Sequence, residues 1–126
     1  MDELVVEALR NDRVIDITTL GRKTGLPRRI EIGLVNLGDM FVISGHPGRP
    51  RSWYANLLAN PKFTLHVKGT AQADLQAKAT PIRDTHRRRA VFIQAAAMGR
   101  YRRGETEMDV EEWVNKAPLV HVEILA

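Results

Sequence analysis

The sequence predicts a mainly β (α+β) domain, a small antiparallel barrel of about six strands with three short helices attached. Short β-branched or alternating segments recur along the chain, and this pattern is typical of half-buried strands. Glycine and proline lie close together between these segments, which favours hairpins over long crossovers. Such barrels bury a strand-lined core and leave ligand grooves at the mouth or between subunits.

The first strands are predicted from β-branched composition and alternation. Residues 14–20 are rich in valine, isoleucine and threonine, which are typical of strands. Residues 29–36 place isoleucine and leucine at every second position, as expected for a strand with one buried face. Residues 40–43 are apolar and short, so a strand buried on both faces is expected.

A short helix and a hairpin are predicted in the middle of the chain. Ser52 is a suitable N-cap, and Asn60 precedes a proline, which disfavours helical geometry at Asn60. Residues 63–67 and 70–80 then form the two arms of a hairpin, and the second arm carries alanines along one face.

Two more helices and a closing strand are predicted for the rest of the chain. Asp84 or Thr85 could cap the first of these helices, and Asp109 could cap the second. The predicted elements are a helix at 86–98, a polar, arginine-rich and mobile loop at 99–108, a helix at 110–116 and a strand at 119–125.

Composition restricts the class of protein. The 126 residues fit a single domain spanning 1–126, and the net charge of +4 is too small to indicate nucleic-acid binding. No cysteine is present, so disulfides and thiolate metal sites are excluded. We expect a soluble cytoplasmic protein, because the sequence shows neither a signal peptide nor a transmembrane segment. The histidines lack metal-ligand spacing, so no metal site is predicted.

A glycine-bracketed turn at residues 21–28, called the basic turn, is the first candidate binding element. Glycines permit a tight turn, and arginine and lysine can hold a phosphate through charge-assisted hydrogen bonds. The glycine spacing is not that of a P-loop, and an ordinary hairpin turn with solvated charges is the alternative. The candidate residues are Gly21, Arg22, Lys23, Thr24, Gly25 and Arg28.

The loop at residues 44–51, called the ring loop, is the second candidate. Its glycines would let a flat ring approach the backbone amides of Ser44, Gly45 and His46. His46 could also donate a proton, because the unperturbed pKa of histidine lies near neutrality. The alternative is a simple strand-to-helix connection with His46 exposed.

Two adjacent aromatic residues open the helix that follows the ring loop. A planar ligand could stack on Trp53, and Tyr54 could donate a hydrogen bond. Both residues also stand four positions before a leucine, so core packing is the alternative.

The sequence shows no resident nucleophile. No Ser-His-Asp order with a nucleophile elbow is present, so the reactive atom of an enzyme of this kind would belong to a cofactor. His46 and Tyr54 are the candidate catalytic residues that would assist it.

Three consecutive arginines, Arg87, Arg88 and Arg89, point in different directions around the predicted helix, so we expect no nucleic-acid partner. A basic nucleic-acid-binding module that uses them and residues 100–103 is the alternative.

The combination of these segments resembles the deazaflavin-dependent nitroreductase family. Its members are split β-barrel proteins that use reduced coenzyme F-420, and F-420-dependent quinone reductases are of the same type. The resemblance implies an FMN-binding-like split β-barrel. It rests on residues 18–28, 42–44, 53–61 and 117–120.

The resemblance also implies roles for particular residues. The basic turn would bind the phosphate-bearing tail of the cofactor through Arg22, Lys23, Thr24 and Arg28. The ring loop would meet the deazaflavin ring at Ser44, Gly45 and His46, and Trp53 and Tyr54 would border that ring. Relatives place substrate-contacting tyrosines after the long helix, where this chain has Tyr101.

The function expected from the resemblance is hydride transfer from reduced coenzyme F-420 to a quinone, a nitro compound or an activated alkene. FMN is the alternative flavin-like cofactor. A non-catalytic split barrel that binds FMN, haem or a lipid is the alternative function. A small-molecule acceptor and a homodimer are the expected partners.

Overall fold

The computed structural model describes residues 2–101 and 108–125, and its dominant feature is one antiparallel sheet. Within those residues the chain forms seven strands and four helices. In chain order they are α1 (Glu3–Asn11), β1 (Val14–Leu20), β2 (Pro27–Gly33), β3 (Val35–Asn36), β4 (Phe41–Ser44), α2 (Ser52–Ala59), β5 (Lys62–Val67), β6 (Ala73–Pro81), α3 (Thr85–Ala97), α4 (Val110–Lys116) and β7 (Leu119–Ile124).

The strands are arranged in the order β2-β1-β5-β6-β7-β4-β3, and every pair is antiparallel. The sheet curls so that β2 approaches β4 from the other end of the strand order. The predicted antiparallel barrel with attached helices is therefore confirmed, in the form of a curled half-barrel.

The predicted count of six strands is wrong, because the segment predicted as one strand at 29–36 is broken at Leu34. The Leu34 N–H donates to the carbonyl of Arg13 at 2.9 Å, and Arg100 donates to the Leu34 carbonyl at 2.9 Å. Pairing with β1 ends at Gly33, opposite Val14, and the remainder of the segment, β3, pairs with β4 instead.

The predicted count of three helices is also wrong, because α1 was not predicted. Asp2 caps this helix by accepting a hydrogen bond from the Leu4 N–H at 2.7 Å. Val5, Ala8 and Leu9 lie at helical spacing and are buried.

The helix caps are confirmed for two of the three predicted positions. Asp84 accepts from the Arg87 N–H, and Asp109 accepts from the Glu112 N–H. Ser52 is not an N-cap, because it is already the first residue of α2 and Arg51 precedes it without a side-chain cap. Of the loop predicted at 99–108, residues 102–107 lie outside the described residues.

Two hydrophobic cores lie on opposite faces of the sheet. The inner core contains Trp53 and the buried alanines of β6, which confirms the close packing expected on that face. The outer core lies beneath α3 and α4 and contains Phe92 and Trp113. Strand β4 serves both cores, because Ile43 belongs to the inner one and Val42 to the outer one.

No helix among residues 2–101 and 108–125 is both long and apolar enough to cross a membrane.

Candidate functional site

The basic turn is closed by its own backbone. Pairing of β1 with β2 ends at Leu20 opposite Pro27. Beyond that pair the Gly21 N–H donates to the Leu26 carbonyl at 2.9 Å, and the Gly25 N–H donates to the Gly21 carbonyl at 2.7 Å. Gly25 has a φ of +70°, a conformation that favours glycine. The side chains of the turn are therefore left to face outward.

The space around the basic turn also favours glycine at position 21. A Cβ atom at Gly21 would lie 2.7 Å from the Thr24 hydroxyl oxygen, too close for any other residue without a shift. That hydroxyl in turn accepts a hydrogen bond from the Leu26 N–H at 3.2 Å. Thr24 therefore stabilises the turn internally, while Arg22, Lys23 and Arg28 are exposed.

Asn56 joins the basic turn to α2. Its side-chain oxygen accepts from the Arg22 N–H at 3.0 Å, and its side-chain nitrogen donates to the Thr19 hydroxyl at 3.1 Å. Asn56 and Thr19 are both buried. Asn56 is not among the residues that the sequence predicts for the site, although an asparagine inside an apolar helix is disfavoured by propensity and could have indicated a special contact.

A cavity of about 400 Å³ lies between the basic turn and α2. Its polar groups are the cations and hydroxyls of the turn, and its apolar groups are Ile30 and Trp53. The lining residues are Thr19, Gly21, Arg22, Lys23, Thr24, Arg28, Ile30, Ser52, Trp53 and Asn56.

The ring loop begins where β4 ends beside β7. Ser44 pairs with Leu119, and its hydroxyl donates to the Pro118 carbonyl at 2.5 Å. A Cβ at Gly45 would lie 3.6 Å from the Trp53 ring, so this glycine packs closely against α2. The His46 ring meets the Trp113 ring edge to face, with 4.9 Å between centroids.

A second cavity, of about 450 Å³, adjoins the first and lies beside the ring loop. The two cavities share Ile30 and Trp53 and together form what we call the groove. The lining residues of the second cavity are Ile30, Glu31, Ile32, Gly33, Ser44, Gly45, His46, Arg49, Pro50, Trp53, Arg100 and Tyr101. The structure therefore brings the basic turn, the ring loop and Trp53 to one continuous surface.

Tyr101 lines the second cavity. Its hydroxyl is buried and finds no hydrogen-bond partner in the described part of the chain. Burial raises the pKa of Tyr101 well above its ordinary value, so the hydroxyl keeps its proton at neutral pH. The ring stacks on Trp113 with 4.7 Å between centroids.

Arg100 fixes the backbone beside Tyr101. It donates to the carbonyls of Leu34 at 2.9 Å and Arg13 at 3.3 Å. Tyr101 itself has a φ of 63°, a rare conformation for a residue with a side chain. The ring of Tyr101 is therefore held in place both by stacking and by its neighbour's hydrogen bonds.

Tyr54 is not brought to the groove. Its ring contacts Trp53 edge to face at 5.8 Å between centroids, but its side chain lines a different cavity near Arg88. Of the two candidate catalytic residues, only His46 borders the groove.

His66 and Arg89 have structural surroundings. The His66 ring lies 2.6 Å from the Thr18 hydroxyl and 2.6 Å from the Asp74 carboxylate, a polar chain across three strands. Arg89 pairs with Glu111. In the part of the chain that the structure describes, no three acidic or histidine side chains come together to hold a metal.

The groove can hold an elongated ligand with an anionic end and a flat apolar part.

The sequence profile of the F420H(2)-dependent quinone reductases matches residues 2–117. The chain belongs to this family. As a member of the F420H(2)-dependent quinone reductase family, it is an enzyme of the reductase type.

Solved structures show the same fold for this member of the family. An F420-H2 dependent reductase is 20% identical with a TM-score of 0.60, over 89% of this chain and 95% of that chain. A FAD-binding protein from Mesorhizobium loti is 13% identical with a TM-score of 0.68, over 100% and 90% of the two chains. A chain described as a domain-swapped dimer is 22% identical with a TM-score of 0.59, over 89% and 81%. The predicted split β-barrel is therefore confirmed.

Proposed function

We propose that this reductase uses reduced coenzyme F-420 to reduce a quinone, a nitro compound or an activated alkene. The observation that carries the proposal is the groove itself, because the basic turn lies at one end and the ring loop at the other, with Trp53 shared between them. The name of the family and that of an F420-H2 dependent reductase of the same fold support this cofactor.

The residues of the groove fit a cofactor with a phosphate-bearing tail and a planar ring. Arg22, Lys23 and Arg28 are exposed cations on a turn whose backbone is already satisfied, so their donors are available to a phosphate. Gly21, Thr24 and Gly25 maintain the shape of this turn. Ser44, Gly45 and His46 would face the ring, and Trp53 would border it.

Reduced coenzyme F-420, when bound, supplies a hydride. The chain itself would orient the two reactants, exclude water and hold a proton at the acceptor. Tyr101 carries that proton on a buried hydroxyl that has no partner among residues 2–101 and 108–125, so a substrate oxygen at this point would accept its hydrogen bond. His46 is the second group of the groove that could transfer a proton.

Tyr54 enters the proposal as a positioning residue. Its edge-to-face contact with Trp53 restricts the orientation of the indole that borders the groove. Its hydroxyl belongs to the lining of another cavity.

The proposal is tested by a fluorescence titration of the protein with oxidised coenzyme F-420, with FMN titrated in parallel at the same salt concentration. Saturable binding of coenzyme F-420 is expected, followed by turnover of a quinone when the reduced cofactor is supplied. Preference for FMN would identify a different cofactor, and binding without turnover of any acceptor would favour a non-catalytic carrier. Binding of neither compound would overturn the proposal.

Lys23→Ala is the variant that locates the cofactor. Loss of one charge-assisted hydrogen bond should weaken coenzyme F-420 binding by about 1–3 kcal/mol, and the melting temperature should not change because Lys23 is exposed. Lys62→Ala, an exposed lysine at the start of β5, is the matched control. If the two variants bind coenzyme F-420 with equal affinity, the basic turn is not part of the cofactor site.

We also propose that the protein forms a homodimer, since a chain of the same fold is described as a dimer. Size-exclusion chromatography with light scattering should give twice the mass of one chain. A monomeric mass across the concentration range would contradict this.

A further inference from the structure

A third cavity, of about 660 Å³, lies on the other side of α2 from Trp53, and we call it the outer pocket. It is bounded by the start of α2, the start of α3 and the end of α4. Its lining residues are Gly48, Arg51, Tyr54, Ile82, Arg83, Thr85, Arg88, Val114, Asn115, Lys116, Ala117 and Pro118.

The outer pocket has an unbalanced charge. Arg51, Arg83, Arg88 and Lys116 contribute four cations, and no carboxylate is found among the described residues that line it. None of the four forms an ion pair with any described residue. Like charges gathered in a concave site raise the local concentration of anions, because the low-dielectric walls focus their field.

Hydrogen bonds fix the position of the Arg88 guanidinium at the outer pocket. Its guanidinium is half-buried and donates to four carbonyl oxygens, those of Ile82, Trp113, Val114 and Ala117, at distances of 2.5–3.2 Å. Carbonyls satisfy its N–H groups but carry no formal charge. Arg88 forms no ion pair with a described residue, so its charge adds to the positive potential of the pocket.

The outer pocket also offers a surface for the organic part of a ligand. Ile82, Val114, Ala117 and Pro118 are buried and form an apolar floor. Tyr54 is partly buried and presents its side chain at the wall. This combination of an apolar floor and cations distinguishes the pocket from a simple solvated basic patch.

We propose that the outer pocket is a second anion-binding site, for a small organic molecule that carries two or more negative charges on phosphate or carboxylate groups. The site is distinct from the groove. Gly48 and Arg51 line the outer pocket, whereas Arg49 and Pro50, between them in sequence, line the groove. The proposal does not depend on the identity of the cofactor.

Isothermal titration calorimetry with pyrophosphate and, separately, with citrate tests the proposal, at an ionic strength held constant with chloride. The informative variant is Arg83→Ala/Lys116→Ala, because both side chains are exposed and neither makes a side-chain hydrogen bond to a described residue. Lys23→Ala reports on the groove, and Lys62→Ala/Lys78→Ala removes two exposed cations of the sheet as a matched control.

Saturable binding of at least one anion is expected in the unchanged protein. The Arg83→Ala/Lys116→Ala variant should weaken this binding at least about tenfold with an unchanged melting temperature, since two charge-assisted contacts are removed. The matched control should bind as the unchanged protein does, and Lys23→Ala should retain the part of the binding that Arg83→Ala/Lys116→Ala removes. The preferred anion assigns the ligand to the phosphate or the carboxylate class.

Two results would overturn the proposal. One is the absence of saturable binding for both anions. The other is binding that Lys23→Ala abolishes and Arg83→Ala/Lys116→Ala preserves, because the basic turn would then account for all anion affinity.

Discussion

At the scale of single residues, Asn56 connects the two ends of a small hydrogen-bond chain that shapes the groove. It accepts from the Arg22 N–H and donates to the Thr19 hydroxyl while being buried itself. Removal of the amide leaves a buried hydroxyl and a backbone N–H without their partner, and such groups are costly when unsatisfied. Asn56 is therefore a positioning residue for the basic turn.

Asn56→Ala should lower the free energy of unfolding by about 1–3 kcal/mol and weaken coenzyme F-420 binding, because the turn loses its attachment to α2. Urea denaturation and the fluorescence titration measure the two effects. Asn60→Ala, at the end of the same helix, is the control and should change neither. An Asn56→Ala variant with unchanged affinity would show that the turn keeps its shape without this anchor.

Asp16 gives the protein an acid-sensitive contact on the outer surface of the sheet. Hydrogen bonds from Lys68 and Arg29 lower the pKa of this carboxyl below its ordinary value. The pKa in the folded state is thus lower than in the unfolded state. The ionised Asp16 carboxylate therefore stabilises the folded state fully at a pH well above its unfolded pKa of about 3.9. This contribution is lost as the pH falls through the pKa of the folded state.

Asp16→Asn should therefore destabilise the protein more at about pH 7 than at about pH 3, because below the unfolded pKa of about 3.9 the unfolded state takes up the proton and the contribution of Asp16 decreases. Urea denaturation at both values measures the difference. Asp39→Asn, at an exposed position outside this network, should show no such pH dependence. Equal destabilisation by Asp16→Asn at both pH values would contradict the lowered pKa of Asp16 in the folded state.

Candidate site residues could be recognised from the sequence where the residues that act together are neighbours in the chain. The cations of the basic turn could be chosen as candidates because glycines and charges stand next to one another in the chain. Asn56 was not, because its two partners lie 34 and 37 positions away. Likewise, the neighbours Trp53 and Tyr54 could not be assigned to separate cavities from their spacing, since only tertiary packing sets the rotation of α2.

At the scale of secondary structure elements, α4 depends on a side chain from α3. Arg88 donates to the carbonyls of Trp113, Val114 and Ala117 at the end of α4. The carbonyls of Val114 and Ala117 have no further turn of helix to bond them, whereas the Trp113 carbonyl also accepts from the Ala117 N–H at 2.9 Å. A helix of seven residues is marginal on its own, so the contact with Arg88 contributes to its placement.

Arg88→Lys should lower the free energy of unfolding by about 1–3 kcal/mol, because an ammonium group cannot reproduce the planar fork of donors. Arg87→Lys is the control, since Arg87 is exposed and its side chain makes no hydrogen bond to a described residue. Thermal denaturation of both variants measures the effect. Identical melting temperatures would mean that α4 is held by its apolar contacts alone.

Element boundaries were predictable where the chain itself marks them. Glycine, proline and the aspartate caps Asp84 and Asp109 set most ends correctly. The break at Leu34 was not predictable, because alternation continues through it and the change of pairing partner from β1 to β4 is set by the tertiary fold. Helix α1 was missed because only three of its residues are buried, so its apolar stripe is short.

At the scale of the whole molecule, the two hydrophobic cores share one sheet. Neighbouring residues of β4, Val42 and Ile43, face opposite cores. Loss of one core would expose the sheet that supports the other. We therefore expect residues 1–126 to unfold as a single cooperative domain.

The two tryptophans of the chain test this expectation, because Trp53 lies in the inner core and Trp113 in the outer one. Trp113→Phe leaves fluorescence that reports on the inner core, and Trp53→Phe leaves fluorescence that reports on the outer core. In each variant the fluorescence and far-ultraviolet circular dichroism transitions in urea should coincide. A fluorescence transition that precedes the loss of sheet signal would reveal two separately unfolding units.

The position of Trp53 and Tyr54 on one helix has a consequence for anyone who engineers this enzyme. A substitution that reshapes α2 to admit a bulkier acceptor changes two cavities at once, because the adjacent rings face different ones. Ile30 belongs to β2, is 36% exposed and lines only the groove. A library that varies Ile30 first would explore acceptor specificity while leaving the opposite side of the helix as it is.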